Sequence, residues 1–268
     1  MRLLLPIVAM LALAAPGANA TVLYDGSSFP SAQGWLALAP SGAQTLGSGY
    51  VNLNTSASAS IQAGYGRVEP TLDSTVGFRL DFTAQLVSED HGGDLNRAGF
   101  SVIVTDQTKH GIEISFWDGA IWVQDFGFVH GHEIEFTTTA AANYSLTVIG
   151  SSYSFVAGSG ASAKVLSGTT VSYDANGLPF PFQDVPYRTA NVLFFGDDTT
   201  SASASFNLMQ VSLAPVPEPS VLATMAAGLA GLAALAFIRR ARVLPLPLFR
   251  VGRHDTERAG LLSGRPGP

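Results

Sequence analysis

The sequence predicts an all-β fold, an antiparallel two-sheet sandwich, and three observations carry that expectation. From Val76, the residues Val76, Phe78, Leu80, Phe82, Ala84 and Leu86 alternate with polar or small ones, the period-2 pattern of a strand with one face in a core. Similar runs recur about every ten residues, the spacing of sandwiches and barrels rather than of βαβ units. No stretch before the C-terminal segment has the apolar spacing of an amphipathic helix.

In chain order the further strands include those expected at Tyr50–Leu53, Phe100–Val104, Ile112–Phe116, Ile121–Val123, Tyr144–Ile149, Tyr153–Val156, Val192–Phe195 and Phe206–Leu213. Asp118-Gly119 between Trp117 and Ile121 reads as a hairpin turn, and Gly150-Ser151 before Tyr153 as another. More than ten strands, with no cysteine in the 268 residues, require a core stabilised by apolar packing and exclude disulfide staples and thiolate metal sites.

Charged residues make up 13% of the chain, against roughly 25% in average soluble proteins, so the surface is built largely from small neutral polar groups. Between Thr21 and Val216 six basic residues face seventeen acidic ones, a net charge of −11. An acidic domain disfavours nucleic acid and leaves a divalent cation or a neutral partner such as glycan.

Both ends read as targeting segments. Arg2, the apolar run Leu3–Ala15 and the small-residue site Ala18-Asn19-Ala20 follow the order of a signal peptide over 1–20, so signal peptidase is an expected partner and Thr21 the mature N-terminus. The sandwich then spans 21–214. At the other end Val216-Pro217-Glu218-Pro219-Ser220 runs into an uncharged stretch of 18 residues, Val221–Ile238, followed by Arg239, Arg240 and Arg242. At about 1.5 Å per residue such a helix reaches roughly 27 Å, close to the ~30 Å hydrocarbon core, and the arginines keep their end cytoplasmic and the domain periplasmic.

These three parts in order resemble the PEP-CTERM sorting signal, here over 215–242. The resemblance implies a Gram-negative protein held in the inner membrane by helix 221–238, then cut by an exosortase near Pro217, Glu218 and Pro219 and passed to the envelope or the exterior, with Arg239 and Arg240 part of the signal. Members of that family usually stop just after the arginines, whereas this chain continues over 243–268, expected as a disordered tail that is cytoplasmic before processing.

The order Gly99-Phe100-Ser101-Val102-Ile103, Ile112-Glu113-Ile114-Ser115-Phe116-Trp117, Ile121-Trp122-Val123-Gln124 and Leu193-Phe194-Phe195-Gly196-Asp197-Asp198 resembles concanavalin A-like lectin/glucanase jelly rolls, including laminin-G-like modules. That resemblance implies a jelly-roll sandwich. With the sorting signal it implies a non-enzymatic envelope protein that binds or contributes to exopolysaccharide, the alternative being a secreted glycoside hydrolase or lyase.

A hydrolase needs two carboxyls flanking the sugar bond. Glu113 is the candidate, but alternation puts Glu113, Ser115 and Trp117 on one face and Asp118 on the other, so that pair does not converge, and Glu113 is expected on a solvent-facing strand. Calcium takes oxygen ligands from clustered Asp and Asn. Asp90, Asp94 and Asn96 in one loop and Asp197 and Asp198 in another are candidate ligands, laminin-G-like modules holding calcium at such an edge; turn formation is the competing role. His130-Gly131-His132-Glu133 is expected as an exposed polar hairpin rather than a zinc site. Trp35, Tyr65, Trp117, Trp122 and Tyr187 are the aromatics that could present ring faces to a sugar; most are expected in the core, and Trp117 and Trp122, flanking the hairpin, are the candidate glycan platform.

Overall fold

The computed structural model describes residues 20–39, 43–173, 186, 187 and 189–216. The leader (all but Ala20), Pro217, Glu218, Pro219, Arg239, Arg240, helix 221–238 and tail 243–268 lie outside them. No helix among the described residues is long and apolar enough to cross a membrane.

Among the described residues sixteen strands follow one another: β1 (Thr21–Tyr24), β2 (Leu36–Leu38), β3 (Gln44–Leu46), β4 (Val51–Asn54), β5 (Ala63–Arg67), β6 (Phe78–Asp90), β7 (Ser101–Thr105) and β8 (His110–Trp117) in the first half. The second half supplies β9 (Ala120–Asp125), β10 (Val129–Glu135), β11 (Ala142–Ile149), β12 (Ser152–Ala157), β13 (Lys164–Thr169), β14 (Val171–Ser172), β15 (Leu193–Asp197) and β16 (Ser203–Pro215). They form a two-sheet antiparallel jelly-roll sandwich. Sheet A runs β13-β12-β11-β6-β16-β4-β3, with β1 also on β16. Sheet B runs β10-β9-β8-β7-β15-β5-β2, with β14 on the end of β8.

The alternation read along Val76–Leu86 is the burial pattern of β6, where Phe78, Leu80, Phe82, Ala84 and Leu86 are buried while Arg79 is exposed and Asp81, Thr83 and Gln85 are half-buried. Phe82 stands at the centre of the core. Its ring centroid is 5.0 Å from Tyr144 and 5.2 Å from Phe195, one ring from each sheet. Both expected hairpins form, Trp117 pairing Ala120 around Asp118-Gly119 and Ile149 pairing Ser152 around Gly150-Ser151. At the latter turn Gly150 takes a φ of 58°, which a side chain disfavours.

Sheet B is covered on its inner face and over part of its outer one. On β7, Val102 and Val104 enter the main core, while Ile103 points the other way and joins Phe194, Phe128, Tyr173 and Tyr187 in a second, smaller apolar cluster. Such strands read as continuous apolar runs, here Val102-Ile103-Val104 and Leu193-Phe194-Phe195, instead of alternating. On β5, Gly64 pairs Gly196 of β15, and a Cβ on Gly64 would stand 2.3 Å from the Phe194 ring. The glycine keeps that ring flat on the sheet.

Candidate functional site

The second cluster roofs only part of the outer face of sheet B. Beside it opens a cleft of about 380 Å³, lined among others by Glu113 of β8, Gln124 of β9, Tyr187, Arg97 from the β6–β7 loop and Asp198 from the β15–β16 loop.

Glu113 lies on the face that alternation assigns to it, but it is not solvent-facing: it is 2% exposed because Tyr187, 74 residues further on, closes over it. Ser101 Oγ donates to its Oε1 at 2.9 Å. Its Oε2 stands 2.6 Å from the Tyr187 hydroxyl oxygen, and Asp198 Oδ2 stands 2.6 Å from that same oxygen. A phenol has one proton to donate. The second short contact therefore needs a proton from a carboxyl, so at least one of the two acids is neutral. Burial, and next the charge of Asp198, push Glu113 from the ordinary 4.5 up to about 8. Burial likewise raises Asp198, against the hydrogen bond from Tyr187. Arg97 supplies the cleft's positive charge and fastens its rim, donating from Nη1 to the Asn96 and Phe128 carbonyls.

The two loops singled out for calcium do meet, since Ser201 Oγ donates to Asp94 Oδ2 at 3.2 Å and Asp94 and Asp198 line the same cleft. The remaining candidates turn elsewhere. Asp90 accepts from the Gly92 amide and Asn96 from the His130 amide. Asp197 points away from its neighbour, as adjacent residues of an extended chain do, and accepts from Thr55 Oγ1 at 2.5 Å; burial pushes it up to about 7. Among the described residues no group of three or more His, Cys, Asp or Glu side chains is placed to hold a metal ion, and Arg97 shares the cleft with the two carboxyls that converge. The donor set does not fit calcium as expected.

Trp117 and Trp122 are neighbours, with centroids 5.6 Å apart, but they do not form an open platform. Trp122 is 0% exposed with His130 stacked on it at 4.3 Å, and half-buried Trp117 carries His91 at 4.4 Å. Trp35, Tyr65 and Tyr187 are buried as well. The His130 segment is a strand, β10, at the edge of sheet B, where His130 Nε2 lies 3.0 Å from Glu133 Oε2.

Sequence reasoning missed Arg97 and Gln124 as site residues and placed Tyr187 only among ring candidates. Two signals pointed to a roof over this face: Ile103 and Phe194 are apolar at positions that a one-sided strand would leave to water.

No protein-family model matches the chain, and neither does any curated protein sequence. Solved structures match its fold. A carbohydrate esterase of Shiga toxin-encoding bacteriophage phi24B is 11% identical, covers 74% of this chain and 100% of its own, and superposes with a TM-score of 0.50. The exoplasmic/lumenal domain of VIP36, in a form bound to Ca²⁺ and Man3GlcNAc, is 12% identical over 74% of this chain and 89% of its own, TM-score 0.46. A lectin of Bauhinia forficata in complex with GalNAc is 12% identical over 75% of this chain and 100% of its own, TM-score 0.42. At these identities the likeness is one of fold.

Proposed function

We propose that this chain is an exported envelope protein of a Gram-negative bacterium that holds polysaccharide in the cleft on the outer face of sheet B. The observation that carries the reading is the cleft itself, a polar recess on the outer face of sheet B lined by Arg97, Gln124, Asp198, Thr199, Thr200 and Ser201. Solved structures sharing the fold include proteins named as lectins or carbohydrate esterases, in keeping with a carbohydrate partner. Export and sorting rest on the sequence of the two ends: a signal peptidase site after Ala20, and an exosortase signal over 215–242 that anchors the precursor in the inner membrane until it is cut.

The hydrolase or lyase reading draws on one observation. Glu113 Oε2 and Asp198 Oδ2 each lie 2.6 Å from one phenolic oxygen and so are at most about 5.2 Å apart, near the ~5–5.5 Å spacing of retaining glycosidases. The phenol fills the space between them, however, and Glu113 is 2% exposed, so a glycosidic oxygen has no place there. Binding is the better account.

Protein purified from its native host and applied to an array of neutral and acidic bacterial polysaccharides should bind without shortening them. No binding, together with hydrolysis or elimination that disappears in Glu113→Gln, would reverse the order of the two readings. Replacing Pro217, Glu218 and Pro219 with Ala should leave export intact but trap an uncut form in the inner membrane; normal maturation of that variant would remove the sorting signal from the proposal.

A further inference from the structure

We infer that, while the C-terminal anchor holds the precursor in the inner membrane, the sandwich stands on the lipid surface on the end formed by Val76, Ile149 and Val216, with the cleft turned away from the bilayer. The inference rests on the sorting reading above and adds to it a contact surface and an orientation. β16 ends at Pro215, and Val216 still donates its amide to the Gly77 carbonyl at 3.1 Å, so the chain is fixed to the fold up to that residue. Five residues on, at Val221, the uncharged stretch begins. Five steps of chain reach at most about 17 Å, and the headgroup layer takes up roughly 5–8 Å of that, which leaves Val216 within about 12 Å of the lipid surface. The leader joins the fold at the same end. β1 is antiparallel to β16 and Thr21 pairs Leu213, so the chain enters its first strand from the Pro215 side.

This end of the sandwich is apolar on its outside. Val76 is 49% and Ile149 50% exposed. A Cβ on Gly77 would stand 3.1 Å from Ile149 Cγ1 and 3.3 Å from Val216 Cβ, which puts those two side chains side by side, next to Val76 in the chain. Among the described residues the charges of the surrounding loops and strand ends nearly cancel, Arg67, Arg79 and Lys109 against Glu69, Asp73, Asp81 and Asp106. Attraction to charged headgroups therefore adds little, and the contact is an apolar one made at the high effective concentration that a short tether gives. The cleft lies at the other end. Thr199, Thr200 and Ser201 line it just before β16 begins, and Asp94 and Arg97 line it just after β6 ends. Each of these strands has 13 residues, a length of about 40 Å at ~3.3 Å per residue. A sandwich standing in this way offers its cleft to polysaccharide well clear of the headgroups.

The chain has no cysteine, so one introduced thiol gives a unique labelling site. Full-length, uncut protein carrying Ile149→Cys or Leu95→Cys is labelled with a fluorophore and reconstituted in phosphatidylcholine vesicles whose headgroups bear a nitroxide quencher. Leu95, 63% exposed in the β6–β7 loop, is the distant site. Fluorescence should fall by about half or more at 149 and by less than about a tenth at 95, about 40 Å away along β6. Val76→Asp should remove most of the loss at 149, because a carboxylate does not stay in an apolar contact. Val76→Cys reads the same surface should Ile149→Cys fail to fold. No quenching at 149, equal or stronger quenching at 95, or a Val76→Asp variant quenched like its parent would overturn the inference for a chain that floats with the vesicles; a chain that does not float with them would remove the sorting reading as well.

Discussion

Glu113→Gln is the most informative single perturbation of this domain, because its effect on stability should depend on pH with a sign fixed by burial. Below the ordinary carboxyl value of 4.5 both folded and unfolded chains hold the proton, and Glu113 adds no pH dependence. Between 4.5 and about 8 only the unfolded chain releases it, so the native state binds more protons and stability falls as pH rises; above about 8 both release it and the loss levels off. A rise of that size corresponds to a penalty on the order of 3–5 kcal/mol, shared with Asp198 through the common phenol. Glutamine reproduces the neutral acid: its carbonyl can accept from Ser101, and its amide can donate to Tyr187, which then donates to Asp198. The variant should match wild type within about 1 kcal/mol at pH 5 and exceed it by several kcal/mol at pH 9. Urea unfolding followed by tryptophan fluorescence at pH 5, 7 and 9 measures both. Parallel stability curves for the two proteins, or a variant weaker at pH 9, would refute the buried-acid argument.

Asp197→Asn should show a smaller gain of the same sign, one that builds up between the ordinary carboxyl value of 3.8 and about pH 7, where burial keeps that carboxyl protonated in the native state only, and levels off above; the same urea series reads it. Tyr187→Phe removes the donor between Glu113 and Asp198 and should cost about 1–3 kcal/mol at neutral pH, with a different cost in the Glu113→Gln background as the mark of coupling in a double-mutant cycle. Phe82→Ala empties the centre of the sandwich and should cost about 3–5 kcal/mol in denaturant. Gly196→Ala places a Cβ 2.4 Å from the Ala63 carbonyl oxygen, a backbone atom that cannot swing aside, and should destabilise by at least about 1–3 kcal/mol while Gly119→Ala, whose Cβ meets nothing, stays near wild type on strain grounds.

The sheet pattern was legible wherever one face of a strand meets the core and the other meets water. β6 is the clearest case, and the nine runs read from the sequence all lie on or overlap strands. β5 escaped because Ala63-Gly64-Tyr65-Gly66-Arg67 has glycines where side chains would show alternation, and the reason for Gly64 is the Phe194 ring on a strand more than a hundred residues away. β10 lacks a buried face to advertise it; most of Val129–Glu135 is exposed or half-buried at a sheet edge. The site was half legible. Alternation gave the face of Glu113, but exposure depends on what covers a face, and Tyr187 comes from a distant loop. Proximity along the chain misled for calcium: Asp197 and Asp198 are neighbours in sequence yet serve opposite sides of the sheet, one bound to Thr55 and the other to Tyr187.

The placement of β16 has a consequence for how the protein is made. This strand, Ser203–Pro215, the last among the described residues, lies inside sheet A and pairs β6 along its length, β4 on the other side, and the first strand, β1. A ribosome that has released only the first two hundred or so residues has therefore delivered a sheet with its middle missing, whose halves cannot meet. Closure of the core waits for the last stretch of the domain, long-range pairing of this kind is slow, and the nascent chain stays unfolded through most of its synthesis. A stop at residue 202 should thus yield a chain degraded like an unfolded one, although it retains fifteen of the sixteen strands.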